Sequence, residues 1–198
     1  MSFDPGGMDQ WEPKVFSGET TYEVVSIEGL SALRARSNDS ASGLVLKKRI
    51  DLHKTPYMNW SWRISRAFPV LDEQNKVGDD YVARVYVVFE DGFMGLGTKA
   101  INYVWSSQLG VGKVWNNAFA GLNVKMVSVQ DRRSQTDKWY YEKRNVYTDM
   151  IHYFGDKGSD LANMEAYRYA DVIAIMTDTD NSHLTADSYY GVIKFSVE

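Results

Sequence analysis

The stretch Asp80-Tyr-Val-Ala-Arg-Val-Tyr-Val-Val-Phe89 decides the fold class. Side chains alternate across a strand, so Tyr81, Ala83, Val85, Val87 and Phe89 share one face, and Asp80, Val82, Arg84, Tyr86 and Val88 share the other. The first set reads as core. The second places a guanidinium and a phenol in mid-strand, which fits either a solvated face or a shallow polar trough.

Outward from this stretch, short runs of β-branched and aromatic residues recur between clusters of Gly, Asp, Asn and Ser. That spacing is the mark of sandwiches and barrels. It predicts strands near 21–27, 31–36, 43–51, 57–65, 80–89, 100–106, 123–130, 139–146, 170–177 and 189–197. Helical patterning is confined to 147–154 and 159–168, the second with Ser159 as its N-cap. The fold class expected is all-β: a two-sheet antiparallel jelly-roll sandwich with one or two short helices. A flexible segment 1–10 precedes one sandwich domain, 11–198.

The 198 residues suffice for one core. Aromatic residues make up 14% of the chain, with 6 Trp and 13 Tyr, an excess that needs a structural or a ligand-binding use. The net charge of -4, with Lys and Arg scattered, offers no basic patch for nucleic acid or anionic lipid. With no Cys there is no disulfide, thiolate nucleophile or Cys-based zinc site. The longest apolar run, Val85 to Phe89, is far below the roughly 20 residues that a spanning helix needs. The N-terminal residues lack the basic and apolar regions of a signal peptide.

Three irregular stretches, 66–79, 91–99 and 107–122, are candidate binding loops. Gly92-Phe-Met-Gly-Leu-Gly97 lacks the Lys-Ser/Thr pair and the following helix of a phosphate loop. In Met58-Asn-Trp-Ser-Trp-Arg63, Trp60 and Trp62 share a face that reads as core, leaving Asn59, Ser61 and Arg63 outside, expected beside Arg84. Trp139 to Val146 is polar on both faces, which suggests a Glu142 and Arg144 network. Asp178-Thr-Asp-Asn181 alternates oxygen side chains that could serve Ca²⁺ through Asp178, Asp180 and Asn181, although it lacks the Gly and Glu of an EF-hand loop. A metal-free turn, held by Asp and Asn side-chain bonds to backbone amides, is the first reading of the same residues. His53, His152 and His183 have no metal-ligand spacing, and no nucleophile elbow is present.

Several strings together resemble one known family: Trp11 to Thr20 as Trp-x-x-Lys-x-Phe-x-Gly-x-Thr, Ala41-Ser-Gly-Leu44, Trp60-Ser-Trp-Arg63, Gly78 to Tyr86, Tyr103-Val-Trp105, Glu142 to Val146 and Thr177 to Asn181. They are similar to the bacterial family called domain of unknown function 3047. The resemblance implies export, periplasmic or secreted, and no established activity. The end of the chain is also similar to that of jelly-roll carbohydrate-binding modules, some of which hold a structural calcium.

The expected function is therefore a non-catalytic domain that recognises a carbohydrate or cell-envelope glycan through a charged, aromatic-edged trough. Its expected contacts are Arg63, Asp80, Arg84, Tyr86, Trp105, Trp115, Glu142 and Arg144, with no cofactor required. The alternative is a glycan-active enzyme on the same scaffold, a hydrolase using Glu142 with Asp149 or Asp80, or a lyase using Tyr86 with Arg84. A third reading is a protein-interaction domain, since Tyr, Trp and Arg dominate binding hot spots.

Overall fold

The computed structural model describes residues 1–90, 97–108 and 110–198. Among the described residues, thirteen strands form two facing sheets. They are β1 Glu12–Ser17, β2 Thr21–Ile27, β3 Leu30–Asn38, β4 Ala41–Asp51, β5 Tyr57–Ile64, β6 Arg84–Phe89, β7 Lys99–Trp105, β8 Val114–Asn117, β9 Gly121–Gln130, β10 Tyr140–Asn145, β11 Tyr169–Asp178, β12 Thr185–Tyr190 and β13 Lys194–Ser196. The larger sheet has the order β1-β4-β11-β6-β7-β9-β8, and the smaller runs β10-β5-β12-β3-β2, with β13 also paired to β5. Helices are few: α1 Pro5–Met8, α2 Val146–Phe154 and α3 Asp160–Tyr167.

The all-β two-sheet sandwich is as the residue pattern predicts, with one departure. Strands β7 and β9 pair in parallel. The chain leaves β7, crosses to β8 at the sheet edge and returns along β9, so β8 and β9 form a hairpin at that edge.

The aromatic excess is spent largely between the sheets. In β5 the burial alternates residue by residue, with Met58, Trp60, Trp62 and Ile64 inward. Trp60 meets Tyr103 at 5.3 Å and Trp62 at 5.5 Å between ring centroids, and Trp105 meets Trp62 at 5.8 Å and Tyr140 at 5.2 Å. These tilted and edge-on contacts join β5, β7 and β10, and such pairs add about 0.5–1.5 kcal/mol each beyond the area they bury. Hydroxyls tie the sheets together as well. Tyr190 on β12 donates to the Met176 carbonyl (2.7 Å), accepts from the Arg84 amide (3.2 Å) and bonds Thr177 (2.8 Å).

A second, smaller apolar cluster lies on the opposite, outer face of the large sheet. It contains Tyr81, Val104 and Met126, with Trp115 and Val124 against it. Here the strict alternation expected from Tyr81 to Phe89 fails. The strand begins only at Arg84, after a bend at Val82 and Ala83, and Tyr81 joins the outer cluster while Ala83, Val85 and Val87 face the core.

At the ends, Phe3 is buried against Trp11 at 5.3 Å, and the Met1 ammonium donates to the Ile193 carbonyl at 2.8 Å. Ser159 caps α3 through the Ala162 amide, and Asn145 caps α2 through the Thr148 amide. No helix among the described residues is long and apolar enough to cross a membrane.

Candidate functional site

The outer face of the large sheet carries a cavity of about 360 Å³. Its floor comes from the central strands: Arg84 and Tyr86 of β6, Met176 and Asp178 of β11 and Ala41 of β4. Cross-strand register fixes this set, because Met176 sits opposite Arg84, and Ala174 opposite Tyr86. Close approach of β4 to β11 depends on Gly43, where a Cβ would come within 2.6 Å of the Ile175 carbonyl oxygen. One wall is Phe16 and Ser17 of β1, and the other is Asn117, Phe119, Ala120 and Val124 of the β8–β9 hairpin. Phe16 and Phe119 are 65% and 58% exposed, an unusual state for aromatics that serve only packing. Each ring already attracts a lysine ammonium: Lys14 at 5.8 Å from Phe16 and Lys76 at 5.1 Å from Phe119.

Acidic groups gather at one end. Asp178 pairs with Arg84, and its other oxygen accepts the Tyr81 amide at 3.2 Å. The Asp80 carboxylate accepts the amides of Asn181 (3.3 Å) and Ser182 (2.6 Å). Asp79 is held by Nδ2 of Asn117 at 3.0 and 3.2 Å. Burial raises the pKa of Asp178, Asp79 and Asp180 above the usual carboxylate range; Asp80 pushes the same way, and Arg84 pulls all three back. The Asn117 side-chain oxygen accepts the amides of Phe119 (3.0 Å) and Ala120 (2.9 Å), so one residue links the acidic end to the hairpin turn that presents Phe119.

The eight residues expected as contacts do not form one row. Arg84 and Tyr86 line the cavity, with the Arg84 guanidinium 5.4 Å from the Tyr86 ring, and Asp80 lies beneath its acidic end. Arg63 is on the other sheet, bound to Glu28 and Asp137, because β5 pairs with β10, β12 and β13, not with β6. Trp105 is buried in the inter-sheet stack, and Trp115 covers the outer cluster. Glu142 accepts from Trp62 Nε1 (3.1 Å) and Gln130 (2.8 Å). Burial raises its pKa. Arg144 is paired with Asp149 at 2.6 Å, and Tyr103 donates to the same carboxylate at 2.7 Å. Neither Glu142 nor Asp149 lines the cavity. Residues 91–96, within the expected 91–99 loop, lie outside the described residues.

Asp80, Asp178 and Asp180 bring carboxylate oxygens within 4.8 Å of one another, and Asn181 contributes its amide to Asp80. Ca²⁺ takes six to eight oxygens. Here both oxygens of Asp80 and of Asp178 already accept hydrogen bonds, one of them from a guanidinium, so the set fits a cationic side chain better than a metal ion.

Phe16, Ser17, Asn117, Phe119 and Ala120 carry no obvious sequence signal as a group. Only Asn117 and Gly121 (φ +60°) mark the hairpin turn by residue type.

A family model spans residues 9–194. The chain belongs to the family described as protein of unknown function (DUF3047). No curated protein matches it. Among solved structures it is similar to a non-crystalline-cellulose-specific carbohydrate-binding module (CBM28), at 12% identity and TM-score 0.47, covering 98% of this chain and 91% of that one. It is also similar to the xyloglucanase domain of NopAA from Sinorhizobium fredii, at 11% identity and TM-score 0.48, covering 94% and 93%. A mannan-recognising module, TmCBM27, is similar at 8% identity and TM-score 0.40, covering 98% and 93%.

Proposed function

We propose that this protein is a non-catalytic binding domain for a carbohydrate, held in the cavity on the outer face of the large sheet. The observation that carries the reading is the pairing of two exposed phenylalanines, Phe16 and Phe119, with a floor of Arg84, Tyr86 and Asp178. Sugars present apolar C–H faces to aromatic rings and hydroxyl pairs to carboxylates and guanidinium groups, so this combination of surfaces suits them. Export, which the family resemblance implies, would set the cavity against cell-envelope glycans.

Binding without turnover is favoured by the state of the polar groups. A lyase would need the Tyr86 phenol to give up its proton, yet burial raises its pKa, against the pull of Arg84. Arg84 itself is committed to Asp178.

Isothermal titration against a panel of oligosaccharides tests the proposal, with Phe119→Ala as the altered form. Losing the burial of one phenylalanine, about 1.5–3 kcal/mol, weakens binding roughly 10- to 100-fold, with no chain shortening in the bound saccharide. A wild-type protein that binds no oligosaccharide of the panel, or a Phe119→Ala form that binds like wild type, would overturn it.

A further inference from the structure

The cavity is unbalanced in charge. Asp79, Asp178 and Asp180 all line it, and Asp80 stands within carboxylate contact of the last two. A single guanidinium among the lining residues answers them, and Arg84 spends its Nη2 on Asp178. Among the described residues Asp79 is hydrogen-bonded by the neutral amide of Asn117 and shares the pull of Arg84 with Asp178, and Asp180 enters no ion pair. Arg84, in turn, is only 5% exposed, and its Nε has no hydrogen-bond partner among the described residues. The floor thus combines a surplus of anionic acceptors with an unmet cationic donor, beneath aromatic rims that already draw ammonium groups.

We infer that the ligand is an amine-bearing saccharide, a glycan with free hexosamine units, whose ammonium sits at the Asp79 and Asp180 end and whose hydroxyls serve the Arg84 end. This rests on the carbohydrate reading above and narrows it. A uronic-acid glycan would set carboxylate against carboxylate, and a neutral hexose would leave Asp79 and Asp180 with no cation but the Arg84 they share with Asp178. An N-acetylated sugar has the same shape near the ring but no cation to offer.

The experiment compares four oligosaccharides of equal length by isothermal titration: free-amine glucosamine, its N-acetylated form, neutral glucose and a uronic acid. The expected result is that the free-amine oligomer binds at least about tenfold tighter than the N-acetylated and neutral ones, as one partly buried ion pair allows. Raising salt from low to physiological strength should narrow that gap, and the uronic acid should bind least. Asp180→Asn, at a half-buried position, should abolish the preference for the free-amine oligomer, with the melting temperature reporting that the fold is kept. Asp79→Asn, which keeps the shape beside Asn117, gives a second independent reading. Equal or weaker binding of the free-amine oligomer, or a preference that survives both substitutions, overturns the inference and leaves the carbohydrate reading standing. If none of the four binds, both fall.

Discussion

Replacing Arg84 by Met removes the guanidinium from the centre of the large sheet and leaves Asp178 buried with no partner but the Tyr81 amide. Both side chains of the pair are almost completely buried, at 6% and 2% exposure. Three further carboxyls, Asp79, Asp80 and Asp180, stand close by, so the abandoned charge meets repulsion as well as desolvation. Breaking one partner of a buried pair costs about 3–5 kcal/mol. In a chain of this size each kcal/mol moves the melting temperature by about 2–4 °C, which puts Arg84→Met roughly 6–20 °C below wild type. The double form Arg84→Met/Asp178→Asn removes the stranded charge and should recover at least about 1 kcal/mol of the summed single losses. Urea unfolding followed by tryptophan fluorescence reads this directly, since Trp60, Trp62 and Trp105 lie in the core. An Arg84→Met form within about 1 kcal/mol of wild type, or a double form whose loss is the sum of the singles within about 0.5 kcal/mol, would refute the reasoning.

Two other outcomes follow from the same structure. Asp131 is buried, which pushes its pKa up, but Arg133 and the amides of Gly110 and Arg133 hold it well below its ordinary value of 3.8. A carboxyl lowered in the folded state contributes stability that is fully present above its unfolded value and is lost as pH falls from there toward the folded one. Asp131→Asn should therefore flatten the acid loss of stability below about pH 5, and an unchanged acid limb in a pH series of melting curves would contradict this. Calcium in the millimolar range should leave the melting temperature unchanged, because Arg84 and backbone amides occupy the oxygens of Asp80 and Asp178. A saturable rise of several degrees, removed by chelator, would assign a metal there instead.

Much of the fold was legible because local alternation and caps carry it. The predicted strand at 21–27 matches β2, Trp60 and Trp62 face the core as their spacing requires, and Ser159 caps α3. Strands β1 and β8 escaped because edge strands bury little: every residue of β1 is exposed, and β8 has four residues. The single strand expected at 189–197 is the end of β12 and all of β13, separated by the irregular residues Gly191 to Ile193. The site was less legible, for a physical reason. Alternation tells which residues of one strand share a face, but not which sheet the strand joins. Arg63 and Arg84 have the same local pattern, yet they lie on different sheets because their partners are 78 to 139 residues away for β5 and as far as 92 for β6. Phe16 and Phe119, the walls of the cavity, come from an edge strand and a hairpin turn, where no periodic signal marks them.

The pairing of β4 with both β1 and β11 has a consequence for the order of assembly. β4 is made early, but its other neighbour in the middle of the sheet comes from residues 169–178, and β6 lines up against that same late strand. During synthesis the first 168 of 198 residues therefore emerge without the strand that joins β4 to β6. Met176 and Asp178 arrive with that strand, so the binding cavity and the centre of its sheet should form in one step near the end of translation, and a nascent chain stalled before residue 169 should remain open to protease.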